Sequence, residues 1–494
     1  MDNQNKDEGI GLYQNPQKET AGQTPPAPST VYPVQTTPMA TSSPISPPPP
    51  PPPPPLEEGL FSKIFSSKII KIVLGIFIIL FILFVIFGLI LPNFGKNKNE
   101  IITLTYWGLW EDSRVMQVII SDFERQNPQI KIDYSKQDPK EYRERLITRI
   151  NNGTGPDIFR FHNTWYPMLS SVLLPLPDNV ISKKEFNDRF YSVIQKDLIK
   201  NGAIYGIPLE IDTLALFVNN DIFESSGASP PASWEEFRDL AKSLTVKDES
   251  GRIKTSGAAI GIYSNINHAP DLISLLAVQN GADSADITKY EKQVSDALRF
   301  YTSFGSGAGS VWDSTLDPSI LNFSKGNVAM AFGYSWDFFN IKALNPNLNF
   351  KVVSVPQLDK NNPKTIASYW VEGASLASKK QKEVSIFLKY LSLPSTQQKL
   401  YSEAAKTRLF GEPYSDVNLS ESLKNDPNVF PFVAQAKNAT SSYFVDSTLD
   451  NGMNSRLNNY LSDAVNSILS NTSPESATAQ LFAGYNQVLK EYAK

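Results

Sequence analysis

The sequence of residues 101–134 is IITLTYWGLWEDSRVMQVIISDFERQNPQIKIDY. Residues 101–106 have the apolar and β-branched types of a buried strand, and residues 114–127 repeat apolar side chains at helical spacing before Pro128. A second strand-like stretch follows at 130–134. Strand, helix and strand in this order predict a right-handed β-α-β unit on a mostly parallel sheet.

The same alternation continues along the rest of the chain. Ser233 is followed three positions later by Glu236, which is the capping box of a helix start. Apolar patterns predict further strands at 157–161, 215–218, 328–332, 350–355 and 374–377, and further helices at 140–151, 233–243, 381–391 and 454–469. We therefore expect an α/β fold.

The composition excludes several classes of protein. A chain of 494 residues exceeds the size at which one hydrophobic core usually keeps growing, so we expect two or more compact units. The net charge is −4 and no basic block occurs, which argues against a nucleic-acid-binding protein. The absence of cysteine excludes disulfides, thiol catalysis and a lipid anchor on cysteine, and two histidines are too few for a histidine metal cluster. We predict no metal and no cofactor.

The N-terminal part differs in composition from the rest. Residues 1–59 are rich in proline and polar residues, contain an unbroken proline run at 47–55, and are predicted to be a disordered tail. Every residue from 72 to 91 is apolar or glycine, and a helix of this length matches the roughly 30 Å hydrocarbon core of a bilayer. We therefore predict a membrane anchor at 60–92 with a single transmembrane helix at 72–91, followed by a stalk at 93–100.

Four groups of motifs occur in order within residues 101–494. The first group is YWG at 106–108, followed by FERQNP at 123–128, and the second is GPDI at 155–158, followed by LPL at 174–176. The third group is the most specific and contains YGIP at 205–208, DT at 212–213, FVNND at 217–221 and PASWEEF at 231–237. The fourth group is FSKGNVAM at 323–330, which leads into GYSW at 333–336.

Together these motifs resemble the extracellular solute-binding proteins of ABC importers, specifically their maltose- and oligosaccharide-binding family. One departure is Ser335 before Trp336, where that family commonly has Gly-Pro-Trp. The resemblance implies a two-lobed, periplasmic-binding-protein-like fold in which crossing strands form the hinge. Its expected lobes are residues 101–211 with 373–417 and residues 212–372 with 418–494.

The resemblance also implies a function. Similar proteins capture a sugar and deliver it to the permease subunits of an ABC importer, so we expect a binding protein and not an enzyme. A receptor for external solutes must lie outside the cytoplasm, and we therefore expect a single-pass cell-membrane protein with a cytoplasmic N-terminal tail and an extracytoplasmic receptor. Two alternatives stay open, a co-receptor that signals through the helix and a glycoside hydrolase.

A sugar offers apolar C–H faces and a rim of hydroxyl groups, so its site needs aromatic plates together with carboxylate, amide and arginine side chains. In open α/β sheets such sites lie at the carboxyl ends of the strands. Trp234 and Trp312 are more typical of plain packing and are left out. The candidate ligand-binding residues are Trp107, Trp110, Glu111, Asp112, Asn163, Trp165, Asp212, Trp336, Trp370, Glu372 and Arg408.

Overall fold

The computed structural model describes residues 67–85, 101–445 and 451–492. The predicted tail and stalk, and residues 86–91 of the predicted transmembrane helix, lie outside the described residues. The chain divides into two compact units, Met1–Pro92 and Asn93–Lys494.

The first unit contains the helix Ser67–Val85. Its large apolar side chains from Ile72 to Phe84 are exposed in the structure. No helix in the described parts of the chain is both long enough and apolar enough to cross a membrane.

The second unit begins with a five-stranded sheet. Its strands are β1 (Ile102–Gly108), β2 (Ile130–Lys136), β3 (Ile158–His162), β6 (Ile207–Pro208) and β14 (Trp370–Ala374), in the order β2-β1-β3-β14-β6. β1 runs parallel to β2 and β3, whereas β14 is antiparallel to β3 and β6. The predicted β-α-β unit is thus confirmed, with the helix Ser113–Gln126 between β1 and β2.

A second sheet belongs to a different part of the same unit. It consists of β8 (Ala215–Asn219), β11 (Met330–Gly333) and β12 (Phe350–Val353), with β8 in the middle and antiparallel to both neighbours. The prediction of a mostly parallel sheet is therefore wrong for this part, and in the first sheet it holds for β1, β2 and β3. Apolar patterns do not reveal the direction of pairing here, because β3 of the first sheet and β8 of the second are both buried on both faces.

Short strands run between the two sheets. β7 (Asp212–Thr213) pairs antiparallel with β13 (Thr365–Ser368), and β13 pairs parallel with β15 (Ala439–Thr440). β7 and β13 each lie in the chain between a strand of the first sheet and a strand of the second. Two hairpins complete the strands, β4 (Ile199–Lys200) with β5 (Ala203–Ile204), and β9 (Val246–Lys247) with β10 (Ile253–Thr255).

Helices cover both sheets. Most carry a buried apolar stripe, as in Ser113–Gln126, where Val115, Met116, Ile119, Ile120 and Phe123 are buried. The remaining α-helices of the second unit are Tyr142–Asn151, Tyr166–Leu169, Lys183–Arg189, Ser192–Leu198, Asn220–Ser226, Trp234–Ser243, Ala269–Gln279, Glu291–Thr302, Ser319–Ser324, Ser335–Leu344, Gln381–Ser392, Pro394–Ala404, Val417–Ser420, Phe430–Ala434, Met453–Leu469 and Pro474–Tyr492. The capping box of Ser233 and Glu236 is confirmed.

The buried side chains form two hydrophobic cores, one for each lobe. The first packs around the five-stranded sheet and the second around β8 and its neighbours. The division of the chain between these two cores differs slightly from the expected lobe boundaries. Trp370 and Val371 pack in the first core because β14 pairs with β3, whereas Phe410 and Tyr414 pack in the second. The strand predicted at 374–377 is wrong for the same reason, since the paired residues are Trp370–Ala374.

The two lobes also contact each other directly. The Arg143 guanidinium of the first lobe donates a hydrogen bond to the Asn451 carbonyl oxygen of the second. Asn454, at the start of the helix Met453–Leu469, donates from its Nδ2 to Thr164 Oγ1 at 2.9 Å. The candidate site lies between these lobes and beside the crossing strands.

Candidate ligand-binding site

Three candidate tryptophans meet at one edge of the first sheet. Trp107 is the penultimate residue of β1, and Trp165 closes the short 3-10 helix Asn163–Trp165 that follows β3. β14 runs antiparallel, so its first residue, Trp370, lies opposite His162 at the end of β3. The carboxyl ends of parallel strands share an edge, which is where this fold type places its ligands.

The rings at this edge pack edge to face. Trp370 lies 5.3 Å from Trp165 at 86° and 5.3 Å from Trp110 at 68°, measured between ring centroids. Tyr142 extends the cluster, at 6.3 Å from Trp165 and 6.4 Å from Trp107. Such arrangements add about 0.5–1.5 kcal/mol per pair beyond the apolar area that they bury.

The tryptophans of this cluster differ in their solvent exposure. Trp110 is 37% exposed, whereas Trp165 and Trp370 are 0% and 5% exposed. Trp107 is half-buried. The surfaces that a ligand can reach in this conformation are therefore those of Trp110 and Trp107, and the other two tryptophans support them from within the core.

The second lobe contributes Trp336 from the start of the helix Ser335–Leu344. Its half-buried indole stacks on Tyr334 with 4.5 Å between centroids and 14° between planes. The backbone N–H of Ser335 donates to Asp212 Oδ2 at 2.8 Å, so the buried Asp212 of β7 fixes the turn that carries Trp336. Asp212 thus positions the Trp336 ring, a candidate surface for stacking on a sugar. Burial raises the pKa of the Asp212 carboxyl group, and the hydrogen bonds with Ser335 only partly oppose that rise.

His162 is the last residue of β3, at the same edge of the first sheet as the tryptophans. His162 is buried, with Nδ1 2.8 Å from Thr164 Oγ1 and Nε2 3.0 Å from Ser368 Oγ. Burial lowers its pKa to about 3, against the opposing influence of the Asp271 carboxylate of the second lobe. Its ring also lies 5.1 Å from Trp370. A neutral imidazole therefore forms part of the floor between the lobes.

Glu372 lies in an ion pair beneath the edge. Its Oε1 is 2.6 Å from Arg160 Nε, and the two side chains are 0% and 1% exposed. The two residues are directly opposite each other on β14 and β3. Glu372 therefore holds the sheet together in this conformation and presents no free surface to a ligand.

Glu111 and Arg408 belong to a second charged group. Arg408 Nη1 is 2.7 Å from Glu412, its Nη2 is 3.6 Å from Glu111 Oε1, and its guanidinium lies 5.3 Å from the Phe339 ring of the second lobe. Burial, with the Glu412 charge, raises the pKa of Glu111. Tyr134 positions Glu111 by donating to its carbonyl oxygen at 2.9 Å.

Carboxylate oxygens of Glu111, Glu210 and Glu412 lie within 4.8 Å of one another. Three carboxylates are a donor set that hard divalent cations accept. Here, however, the guanidinium groups of Arg408 and Arg160 already supply positive charge to these carboxylates. The arrangement is therefore that of an ion-pair network.

Two further candidates have structural partners. Asp112 caps the helix Ser113–Gln126 by accepting the Arg114 N–H at 2.8 Å, and Arg114 lowers its pKa. Asn163 donates to Asp197 at 3.1 Å and to Ser441 at 2.8 Å. Asp112 fixes local backbone, as capping residues commonly do, whereas Asn163 joins two side chains that are distant in the sequence.

Tyr142 and Tyr334 were missed by the sequence interpretation. The sequence could have indicated Tyr334, because this residue lies two positions before Trp336 in the same motif. Tyr142 gave no signal, since it starts a helix whose pattern indicates packing alone. Asp271, on the helix Ala269–Gln279, was also not among the predicted site residues.

Two cavities occur elsewhere in the second unit. One of about 460 Å³ is lined by Pro231, Val355, Lys364 and Gln435 among others, and one of about 150 Å³ includes Asn163. The candidate tryptophans line neither cavity.

Two curated relatives carry sugar-binding names. The multiple sugar-binding protein of Streptococcus mutans is 22% identical over 333 residues, which cover 62% of this chain and 75% of that protein. The maltodextrin-binding protein MdxE of Bacillus subtilis is 26% identical over 232 residues, or 44% of this chain. The match spans about half, 51%, of that relative's length.

The fold matches a solved structure. A cyclo/maltodextrin-binding protein complexed with maltotetraose superposes with a TM-score of 0.65 and 17% identity, covering 80% of this chain and 98% of that one. This likeness establishes the two-lobed, periplasmic-binding-protein-like fold.

The family follows from the sequence itself. The profile of the bacterial extracellular solute-binding proteins matches residues 119–431, well over half of the chain. Members of that family are receptors, so the expectation of a non-enzyme is confirmed and the glycoside hydrolase alternative is wrong. The chain therefore belongs to the bacterial extracellular solute-binding proteins.

Proposed function

We propose that this protein captures a carbohydrate, in particular an oligosaccharide, in the cleft between its lobes and delivers it to the permease subunits of an ABC importer. The observation that carries the proposal is the pair of aromatic walls. Trp107 and Trp110 belong to the first lobe, whereas Trp336 belongs to the second. Support also comes from the sugar-binding names of the relatives.

Each side chain at the site has a role in this proposal. Trp110 and Trp107 cover the apolar faces of sugar rings from one side, and Trp336 covers them from the other. Glu111 and Arg408 lie beside the first wall and bond to hydroxyl groups, since hydrogen bonds to charged groups contribute about 1.5–3 kcal/mol. The buried rings of Trp165 and Trp370 pack beneath Trp107 and Trp110 and hold this aromatic surface in place. Opening of the lobes brings them within reach of larger ligands.

A thermal-shift screen against a carbohydrate library tests this function. A ligand that binds only the native state raises the stability by RT ln(1 + [L]/Kd). We expect at least one oligosaccharide to raise the melting temperature of the protein. The Trp336→Ala variant is the matched control and should show a smaller shift with the same sugar. A shift with amino acids, peptides or polyamines, while every carbohydrate fails, would reject the proposed substrate class.

We also propose the membrane anchor at 60–92, on the sequence alone. Its basis is the uninterrupted apolar run at 72–91, part of which lies outside the described residues. The natural chain has no cysteine, so single cysteines can be introduced without background. Asn97→Cys in the stalk should react with an impermeant maleimide on intact cells, while Thr41→Cys in the tail should not. The reverse labelling would contradict a cytoplasmic tail.

A further inference from the structure

His268 lies between two buried carboxylates of the second lobe. It directly precedes the helix Ala269–Gln279, and its side chain is 11% exposed. Its Nε2 is 2.8 Å from Asp337 Oδ2, and its Nδ1 is 3.8 Å from Asp271 Oδ2. The two aspartates belong to different helices. The imidazole ring therefore ties the start of one helix to the start of the other.

The same two carboxylates hold Tyr334. Its hydroxyl donates to Asp271 Oδ1 at 2.6 Å, and its backbone N–H donates to Asp337 Oδ2 at 3.0 Å. The side chain of Tyr334 is fully buried, and the His268 ring meets it edge on, with 5.1 Å between centroids and 78° between planes. The tyrosine ring is thus fixed from its hydroxyl, its backbone and its face.

Tyr334 in turn supports Trp336. The two rings are nearly parallel, and His268 lies 6.2 Å from the indole at 64°. Trp336 is the half-buried member of this group. The orientation of its ring therefore depends on Tyr334 and, through Tyr334, on the carboxylates that His268 joins.

A positive charge on His268 fits its position between the two carboxylates. Burial disfavours the imidazolium, but the carboxylates of Asp337 and Asp271 outweigh it and raise the pKa of His268 to about 10. At neutral pH one positive charge therefore lies between two buried negative charges. Without it, the two carboxylates would face each other across a low-dielectric interior with no cation between them, which is unfavourable.

We propose that His268 is a positioning residue for ligand binding, which joins Asp271 to Asp337 and so fixes the stacked Tyr334–Trp336 pair as the second lobe's plate for a sugar ring. This inference rests on the proposed function. His268 does not itself touch the sugar, and acts through the two aromatic rings.

Near-ultraviolet circular dichroism of the full-length protein tests the position of the plate without any ligand. Two stacked, nearly parallel chromophores give a signal that depends on their mutual orientation. The spectrum of the wild type minus that of Trp336→Phe isolates this signal. We expect the corresponding difference in the His268→Gln background to lose most of its intensity. His268→Lys keeps a cation between the two carboxylates and should restore part of the signal.

Binding of maltotetraose, followed by titration calorimetry, is the second readout. A well-aligned aromatic contact corresponds to roughly a three- to tenfold change in affinity, so His268→Gln should weaken binding by about that factor. Trp234→Phe is the control, because Trp234 is buried in the core of the same lobe, where it stacks on Phe332. It should leave the affinity unchanged.

Failure of the positioning role and failure of the proposed function give different results. Unchanged affinity together with an unchanged Trp336 signal in His268→Gln would overturn the positioning role and leave the sugar-binding function intact. If His268→Gln fails to fold, Asp271→Asn removes one of the two carboxylates that His268 joins and leaves both rings in place, and an unchanged Trp336 signal there overturns the inference equally. If the wild type binds neither maltotetraose nor any other carbohydrate, the proposed function itself fails.

Discussion

Arg160 and Glu372 form an ion pair that is shut off from solvent, with 2.6 Å between Nε and Oε1 and side chains 1% and 0% exposed. Arg160 lies on β3, which leads into the candidate site, and Glu372 lies on β14, which follows the crossing strand β13. The pair therefore joins the strand that carries the aromatic wall to the strand that leaves the hinge.

Breaking this pair should be costly, because it leaves a buried charge without a partner. We expect Glu372→Gln to lower the free energy of unfolding by about 3–5 kcal/mol, measured by urea denaturation. The exposed pair of Lys184 and Asp188 provides the control, since its side chains are 85% and 58% exposed. Asp188→Asn should leave stability unchanged. An equally small effect of Glu372→Gln would contradict the structural role of the pair.

The sequence placed Glu372 near a crossing motif but did not identify Arg160 as its ion-pair partner. Its place near a crossing motif suggested a ligand contact, but its partner is 212 positions away in the chain. Periodicity shows which positions are buried and not which distant side chain meets them. The strand at Trp370–Ala374 was misplaced by the same limitation, because its pairing with β3 fixes its bounds.

The family motifs predicted more than the periodicity did. They indicated two lobes, the crossing segments at Asp212 and before Gly373, and aromatic side chains at strand ends. They did not separate exposed from supporting rings, as for Trp110 and Trp165. Exposure depends on how Trp370 and Tyr142 pack, and this packing follows from tertiary contacts alone.

Trp110 and Trp165 should respond differently to truncation. Trp110→Ala removes a ring that is 37% exposed, so we expect weaker carbohydrate binding with little loss of stability. Trp165→Ala empties a fully buried site and should lower the free energy of unfolding by about 3–5 kcal/mol. Titration calorimetry and urea denaturation measure the two effects. Equal stability losses would show that Trp110 is a core residue.

The two histidines should not titrate in the physiological range. Burial lowers the pKa of His162 to about 3, whereas neighbouring carboxylates raise that of His268 to about 10. We therefore expect two histidine ring signals in an NMR titration from pH 5 to pH 8, one neutral and one charged, with constant chemical shifts. A signal with a midpoint near the ordinary value of 6.5 would contradict the buried environment of that ring.

Stability should follow these shifts in opposite directions. His268 has a raised pKa, so its contribution is fully present below about pH 6.5 and is lost as the pH rises toward 10. His162 has a lowered pKa, so its contribution is present above about pH 6.5 and is lost as the pH falls toward 3. His268→Gln should flatten the alkaline side of the profile, and His162→Gln the acid side.

The lobes should close further or reopen around the crossing strands in response to ligand. A ligand shifts such an equilibrium only through contacts that differ between the two states, and a sugar held between Trp110 and Trp336 makes such contacts. We expect the radius of gyration from small-angle scattering to differ between the sugar-free and sugar-saturated protein. Trp336→Ala should reduce this difference, because the sugar loses the wall of the second lobe. An unchanged radius at saturation would rule out hinge motion.

We propose that the protein binds a carbohydrate in the cleft and does not transform it. Titration calorimetry with the oligosaccharide that gives the largest thermal shift tests this most directly, combined with chromatography of the sugar after the titration. We expect saturable binding of one sugar per chain, weakened by Trp110→Ala and by Trp336→Ala, and recovery of the sugar intact. Binding that neither variant affects, or cleavage of the sugar, would contradict it.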